Sequence, residues 1–249
     1  EEEEEEEEPA WGEDRAEVNP QDVEAAHKRE NLKQGAAVIA RLMRDDLLPG
    51  RGEDELVVSC NSLVGCLREN PGLGLAFIQD HGALPVLRAV RAAGPEKPRA
   101  LALLLEIVNK IILQNPKGQE YLSMMGVIPM ITNYATLEDQ STSVTPIQRE
   151  ASHFVDIICG NPQTLQMFIG CGGLDTLIYF VSLSQKGIED TSICSVVHIG
   201  LQGILSIFQL SAIRRADLCQ LLVEGRAGEF LPALSRLLGA LVARLAAAD

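Results

Sequence analysis

The sequence NPGLGLAFIQDHGALPVL, residues 70–87, decides the fold because related versions of it recur at residues 115–131 and 161–178. Each copy opens on an Asn-Pro pair, and successive pairs lie 45 and 46 residues apart. An apolar doublet follows each pair, and then a glycine, which is in turn Gly82, Gly126 and Gly173. Self-similarity at a fixed period of this length indicates a repeat architecture.

Each copy predicts the same succession of three helices. The Asn can cap a short first helix, and the Pro fits its first turn, where a backbone donor would be unpaired anyway. The glycine ends that helix in a left-handed conformation, and Pro85 and Pro129 open a second helix. A polar loop and a strongly apolar third helix complete the unit. We expect these third helices over Ala100–Leu113, Gln148–Cys159 and Ser195–Gln209.

Three helices in about 45 residues cannot bury their own apolar faces, whereas stacked neighbours can. The apolar residues recur three or four positions apart rather than two, which argues against strands. The sequence therefore predicts an all-α, right-handed α-solenoid of about four to five repeats over residues 19–249. Its first and last repeats are expected to be atypical, with a helix from Asn19–Pro20 to before Pro49 and a degraded copy around Leu221–Leu222 and Gly228.

Residues 1–18 are predicted to form a separate acidic segment. Glu1–Glu8 is a run of like charges, which repels itself and indicates a disordered tail. Residues 1–30 contain 14 acidic and 3 basic residues, or −11 of the formal net charge of −14, which leaves −3 for the remainder. A nearly neutral repeat region has no basic face for a phosphate backbone, so nucleic acid is not an expected partner.

Single residue types exclude several other classes of function. Six cysteines are spread singly through apolar segments, which is typical of reduced core thiols in a cytosolic protein, so we expect a cytoplasmic location. The apolar stretch Met167–Leu183 contains Asp175 and is too short to span a bilayer, so no membrane insertion is expected. The four histidines lie in separate units, and no His-Glu-x-x-His or Cys-x-x-Cys occurs. No metal, no other cofactor and no catalytic residue is therefore predicted.

The residues quoted first, with their Asn-Pro, Phe-Ile and Gly-Ala-Leu-Pro steps, resemble the armadillo repeat, whose consensus places these residues at the same offsets. A closer resemblance is to the armadillo region of one kinase group, the plant MAP-kinase-kinase-kinase epsilon type and the related fungal septation-initiation kinases. It covers residues 70–87 together with EKPRALALLLEIVNKIILQNPKGQEYLSMMGVIPMITNYA (96–135), REASHFVDIICGNPQTLQMFIGCGGLDTLIYFV (149–181) and SVVHIGLQGILSIFQLSAIRRADLCQLL (195–222).

This resemblance implies an interaction scaffold that belongs to a larger serine/threonine protein kinase of cytokinesis or cell polarity. In that group an ATP-dependent kinase domain lies N-terminal to the array. The chain itself has no Gly-rich phosphate loop, no His-Arg-Asp and no Asp-Phe-Gly segment, so it is not expected to be an enzyme. A stand-alone armadillo adaptor is the alternative. The expected partner is a protein or an extended peptide, with self-association as a further expectation.

In armadillo arrays the third helices line the concave surface, and arrays that bind basic peptide cargo carry a ladder of Trp and Asn there. The single Trp, Trp11, lies outside the repeats, so peptide-cargo binding is the weaker alternative. Residues four positions apart share one face of a helix, which predicts a polar stripe across successive third helices. The expected partner-binding residues are Asn61, Glu106, Lys110, Ser152, Asp156, His198 and Gln202.

Overall fold

The computed structural model describes residues 30, 52–70, 72–79, 83–137, 143–186, 190–210, 215–224 and 230–248. These residues form helices, turns and bends, and none of them lies in a β-strand. The acidic tail, the helix expected from Asn19–Pro20 apart from its helical residue Glu30, and the glycines Gly82 and Gly228 lie outside the described residues. The all-α prediction is confirmed over the described ranges.

Twelve α-helices follow one another in the described part of the chain, with the first, second and third helices of successive repeats in a fixed order. The helix α1 is a third helix, and complete triplets follow it from α2 to α10. The bounds are α1 Glu53–Glu69, α2 Leu73–Gln79, α3 Ala83–Ala93, α4 Pro98–Ile112, α5 Pro116–Met124, α6 Val127–Ala135, α7 Pro146–Cys159, α8 Pro162–Gly170, α9 Gly173–Ser182, a 3-10 turn Leu183–Lys186, α10 Thr191–Gln209, α11 Arg215–Glu224 and α12 Phe230–Ala248.

The helices stack by their place in the repeat, as the solenoid prediction requires. The third helices α1, α4, α7 and α10 pack side by side in chain order. The second helices α6, α9 and α12 form a parallel row, and the first helix α5 packs on α8. One continuous apolar core runs between the rows and includes Leu104, Phe154 and Phe180, each fully buried. A repeat unit therefore buries its apolar faces against its neighbours rather than within itself.

The caps that the Asn-Pro pairs predict are present in two repeats. The side chain of Asn115 accepts a hydrogen bond from the Gly118 backbone N–H at 3.0 Å, and Asn161 accepts one from Gln163 N–H at 3.0 Å. Each following Pro is the first residue of its helix, α5 or α8. The local chemistry of the dipeptide therefore starts each first helix where the sequence placed it.

The left-handed glycine between first and second helices is confirmed at Gly126, whose φ is 75°. In the next repeat the prediction is wrong by one residue: Gly172 has the left-handed φ of 81°, and Gly173 is the first residue of α9. Both left-handed glycines lie 11 residues after their Asn, at 115 and 161. Residue 173 must be small for a reason other than its backbone conformation, because a Cβ there would lie 2.5 Å from the Phe168 ring.

The expectation that all six cysteines are core thiols is wrong for three of them. Cys60 and Cys159 are buried, and burial raises the pKa of each thiol to about 12. An apolar neighbourhood in the sequence does not say which face of a helix a residue occupies. The exposed cysteines are Cys171, Cys194 and Cys219, and Cys66 is half-buried.

One described helix, Thr191–Gln209, is long and apolar enough to cross a membrane, with a mean hydropathy of 1.6 over its most apolar window. The bent pair Pro162–Gly170 and Gly173–Gln185 meets the same test only if counted as one span, and it turns by 90°. Helix α10 packs on α7 and α9 as a third helix of the array, and 44% of that window is buried. The sequence expectation, which rested on Met167–Leu183, overlooked this longer segment, and the absence of membrane insertion stays a prediction.

Candidate partner-binding surface

The exposed sides of α1, α4, α7 and α10 form one surface, here called the third-helix surface. Three of its helices begin two to four residues before the predicted starts, because Pro98 and Pro146 take the first helical positions of α4 and α7 and Asp190 precedes α10. Thr145 caps α7, and Asp190 caps α10 by accepting a hydrogen bond from Ser192 N–H at 2.8 Å. The third-helix surface includes six of the predicted partner-binding residues: Asn61, Glu106, Lys110, Asp156, His198 and Gln202.

The seventh predicted residue, Ser152, does not lie on the third-helix surface. It is buried, with 1% of its surface exposed, and its Oγ donates a hydrogen bond to the Arg149 carbonyl at 2.8 Å. A hydroxyl bonded to its own helix can be buried at low cost, whereas the carboxylate of Glu106 at the equivalent position cannot. The predicted polar stripe is therefore interrupted at α7, where Arg149, His153 and Asp156 are the exposed residues.

Glu106 is the centre of an ion-pair cluster that joins two repeats. Its Oε1 lies 3.4 Å from Lys110 Nζ on the same helix and 3.8 Å from Arg68 Nη2 on α1. The side chains of Glu106 and Lys110 are each 26% exposed, and that of Arg68 is 71% exposed. The sequence analysis paired Glu106 with Lys110 but missed Arg68. Arg68 and Glu106 are 38 positions apart in sequence, and this separation is not one of the repeat offsets.

A cavity of about 680 Å³ opens on the third-helix surface where α1, α4 and the beginning of α7 meet. Val57, Ala102 and Gln148 line it from the same position of three successive repeats, at spacings of 45 and 46 residues. This row lies one turn N-terminal to the predicted row of Asn61, Glu106 and Ser152. The offsets that gave the predicted row would also have found it. The remaining lining residues are Pro95, Pro98, Arg99, Leu103, Glu106, Leu137, Thr145, Pro146, Ile147, Arg149 and Glu150.

The polar groups of one cavity wall are already bonded within the protein. The Thr145 N–H donates to Gln148 Oε1 at 3.0 Å, and the Gln148 N–H donates to Thr145 Oγ1 at 3.2 Å, a reciprocal cap at the start of α7. The Gln148 amide also donates to the Leu137 carbonyl at 2.7 Å. These bonds tie Leu137 and Thr145 to the first turn of α7 and leave the Gln148 amide occupied.

Acidic and basic side chains lie at different depths around this cavity. Arg99 and Arg149 are 66% and 62% exposed, whereas Glu106 and Glu150 are 26% and 19% exposed. Buried Asn109 donates to the Glu150 carbonyl at 2.9 Å and to its carboxylate at 3.3 Å, which fixes Glu150 against α4. The inner acids are thus held by the protein, and the arginines are the charged groups at the cavity mouth.

Two acids at the start of α1 lie beside the cavity and are bonded to the beginning of α4. Glu53 Oε1 accepts hydrogen bonds from Arg99 N–H at 2.8 Å and Ala100 N–H at 3.4 Å, so α1 caps the N-terminus of α4. Asp54, which is 91% exposed, lies 3.2 Å from the Arg99 guanidinium. Beside the arginines that line the mouth, the α1 side therefore adds the acids Glu53 and Asp54, and the exposed charge on the α7 side is Arg149.

A second cavity, of about 430 Å³, lies at the C-terminal ends of α1 and α4 and is lined by Arg68, Lys110 and Asn115 among others. The Asn115 Nδ2 is buried without a hydrogen-bond acceptor. In the next repeat, the Asn161 amide donates to Gln119 Oε1 at 3.1 Å, and the position equivalent to Gln119 one repeat earlier is Gly74. Glycine has no side-chain acceptor, so the Asn115 amide lacks the partner that Gln119 gives to Asn161.

Within the described ranges, no three or more His, Cys, Asp or Glu side chains come together where they could hold a metal ion. His153 and His198 are both exposed and lie on different third helices. The geometry of the third-helix surface is that of a groove with a preformed cavity. Such a surface can bind a partner.

Comparison with curated proteins finds relatives of one kind. The chain is 31% identical over 195 residues to MAP3K epsilon protein kinase 1 of Arabidopsis thaliana. The aligned region covers 77% of this chain and 14% of the relative. It is 30% identical over 178 residues to the cytokinesis protein SepH of Aspergillus terreus, covering 71% of this chain and 12% of the relative. The chain thus spans about one-seventh of the length of these relatives. No protein-family model matches it.

Solved structures give the fold independently of sequence. An engineered protein superposes with a TM-score of 0.54 at 12% identity, over 80% of this chain and 77% of that one. A designed armadillo repeat protein in complex with the peptide (KR)4 superposes with a TM-score of 0.50 at 17% identity, over 79% and 90% of the two chains. Together with the repeat geometry and the relatives, these matches show that the chain is an armadillo-type α-solenoid homologous to part of the MAP3K epsilon and SepH protein group.

Proposed function

We propose that this chain is a non-catalytic interaction region of a larger serine/threonine protein kinase that acts in cytokinesis or polarity signalling in the cytoplasm. The kinase and cytokinesis parts of this proposal come from the names of the relatives. The chain matches only about one-seventh of the length of those relatives. The described residues contain no phosphate-binding Gly-rich loop and no catalytic constellation. The role of the chain is therefore to hold a partner, and that of the parent protein is phosphoryl transfer.

The observation that carries the binding role is the groove formed by α1, α4 and α7, with its cavity of about 680 Å³. Solenoids present extended surfaces of this kind to their ligands. The designed armadillo neighbour, of similar fold, has a peptide bound. An extended peptide segment of a partner protein is therefore the proposed ligand, with Asn61, Glu106, Lys110, Asp156, His198 and Gln202 along its path.

The test is a pull-down from an extract of the source cells with the chain immobilised, comparing wild type with Glu106→Ala/Asp156→Ala. Both residues lie on the third-helix surface, so we expect the double variant to lose bound proteins while its melting temperature changes little. The ion pairs of Glu106 are partly exposed, and exposed pairs contribute about 0–1 kcal/mol. Equal capture by both proteins would place the partner elsewhere on the chain.

Two companion measurements test the remaining parts of the proposal. The coding sequence around this segment should include a kinase domain, and its absence would favour the stand-alone adaptor. Purified protein should neither hydrolyse ATP nor retain stoichiometric zinc, which a phosphate-release assay and elemental analysis would detect. Self-association stays a prediction, and light scattering coupled to size-exclusion chromatography measures it directly.

A further inference from the structure

We propose that the cavity between α1, α4 and α7 receives one large apolar side chain of the bound peptide, flanked by a basic residue toward α1 and an acidic residue toward α7. This inference rests on the proposed function and specifies the partner for the same groove. It makes recognition depend on a side-chain anchor rather than on a ladder of Trp and Asn, which this array lacks.

The interior of the cavity favours an apolar group because its polar atoms are already bonded. The amide of Gln148 and the carboxylates of Glu106 and Glu150 have partners within the protein. The surface left for a ligand comes from Val57, Ala102, Leu103, Leu137 and Ile147, and Leu137 remains 38% exposed. A polar ligand group placed there would lose its water without gaining a hydrogen bond.

The cavity has ample room for one large side chain. Its volume of about 680 Å³ lies inside the range of about 300–1,000 Å³ that is typical of preformed ligand sites. A Leu, Ile, Met or Phe side chain can therefore be buried while the peptide backbone stays at the surface.

The charges at the mouth decide the flanks of the anchor. The first turn of α1 contains three acids, Glu53, Asp54 and Glu55, against the single arginine Arg99, which pairs with the 91% exposed Asp54. On the α7 side, Arg149 is 62% exposed and its pairing with Glu150 is long, at 3.8 Å. Charge complementarity thus calls for opposite signs on the two sides of the anchor. A uniformly basic peptide such as the (KR)4 bound by the designed neighbour would meet Arg99 and Arg149 at the mouth.

The experiment uses a displayed library of random dodecapeptides selected on the whole chain, followed by fluorescence anisotropy with the selected peptide and with (KR)4 as comparison probe. We expect one large apolar position with charges of opposite sign on its two sides. Replacement of that apolar residue by Ser should weaken binding at least tenfold. The (KR)4 probe should bind more weakly than the selected peptide.

Variants of the chain then locate the anchor. Ala102→Phe fills the cavity and should weaken binding of the selected peptide at least tenfold. Leu113→Phe is the control, since Leu113, the residue that follows α4, is 49% exposed and lies outside this cavity, and it should bind like wild type. Leu103→Gln, which makes the wall polar without adding bulk, gives a second variant if Ala102→Phe fails to fold.

Each result separates this inference from the proposed function. Selected peptides that lack an apolar position, or that bind equally to wild type, Ala102→Phe and Leu103→Gln, would overturn the anchor and leave peptide binding standing. A basic consensus resembling (KR)4 would overturn the flanking charges. Selection of no peptide at all would overturn the proposed function itself, and with it the anchor.

Discussion

Substitution of Gly126 isolates the cost of one backbone conformation. Gly126 has a φ of 75° at the start of α6, and a Cβ built on it would have no atom within 4 Å. Ala at this position therefore meets no steric contact, and its whole effect comes from the left-handed conformation. That conformation costs an L-residue about 1–2 kcal/mol.

The net magnitude is smaller because Ala also restricts the unfolded chain. That restriction stabilises the folded state by about 0.4–1 kcal/mol. For Gly126→Ala we therefore expect a loss of about 1 kcal/mol in the free energy of unfolding, or about 2–4 °C in melting temperature for a protein of this size. Gly126→Val, with its branched Cβ, should lose about 1–3 kcal/mol, and Gly126→Asn should lose least because Asn tolerates positive φ.

The assay is a urea titration followed by far-UV circular dichroism, with Gly65→Ala as the matched control. Gly65 lies within α1, and a Cβ there also has no atom within 4 Å, but its backbone is helical. This control should gain about 0.5–1 kcal/mol because Ala is the better helix former. If Gly126→Ala were as stable as wild type, or if Asn were no better than Val, backbone strain would not be the reason for this glycine.

Three further predictions concern contacts that the structure shows directly. Gly173→Ala should lower the melting temperature more than Gly126→Ala, because the Cβ added at residue 173 would lie 2.5 Å from the Phe168 ring. Equal melting temperatures of the two variants would show that the ring moves freely. Thr145→Ala should cost about 1 kcal/mol in urea unfolding through loss of the α7 cap, whereas Thr145→Ser should retain most of it. The third prediction concerns alkylation of the cysteines by iodoacetamide at pH 8, followed by mass spectrometry. Buried thiols whose pKa is raised to about 12 stay protonated at this pH and should react last. If the buried cysteines reacted before the exposed ones, the burial would be contradicted. The slow residues are Cys60 and Cys159, and the fast ones are Cys171 and Cys219.

The candidate site was only partly predictable because position in a repeat and exposure are different properties. Offsets of 45 and 46 residues correctly placed Glu106, Lys110 and Asp156 on third helices. The same offsets gave Ser152, which is buried with its hydroxyl bonded within α7. The cavity depends on how α1, α4 and α7 approach one another, and no local pattern reports that approach.

The period, the helical class and the starts of the first helices α5 and α8 were determined by the sequence alone, because each depends on chemistry within a few residues. Asn115 and Asn161 bond backbone groups two or three residues away, and Gly126 adopts its left-handed conformation at its own position. Such short-range preferences act in the same way in every copy of the repeat. They therefore survive the sequence differences between copies.

The rotation of each helix, and with it every exposed face, was decided only by the tertiary structure. Asn115 and Asn161 share one repeat position, yet the amide of Asn161 is bonded to Gln119 and that of Asn115 has no acceptor, because Gly74 stands where the acceptor would be. The exposure of Cys171 and the burial of Ser152 have the same origin. Burial depends on side chains about 45 residues away in the neighbouring repeat, and those side chains differ from one repeat to the next.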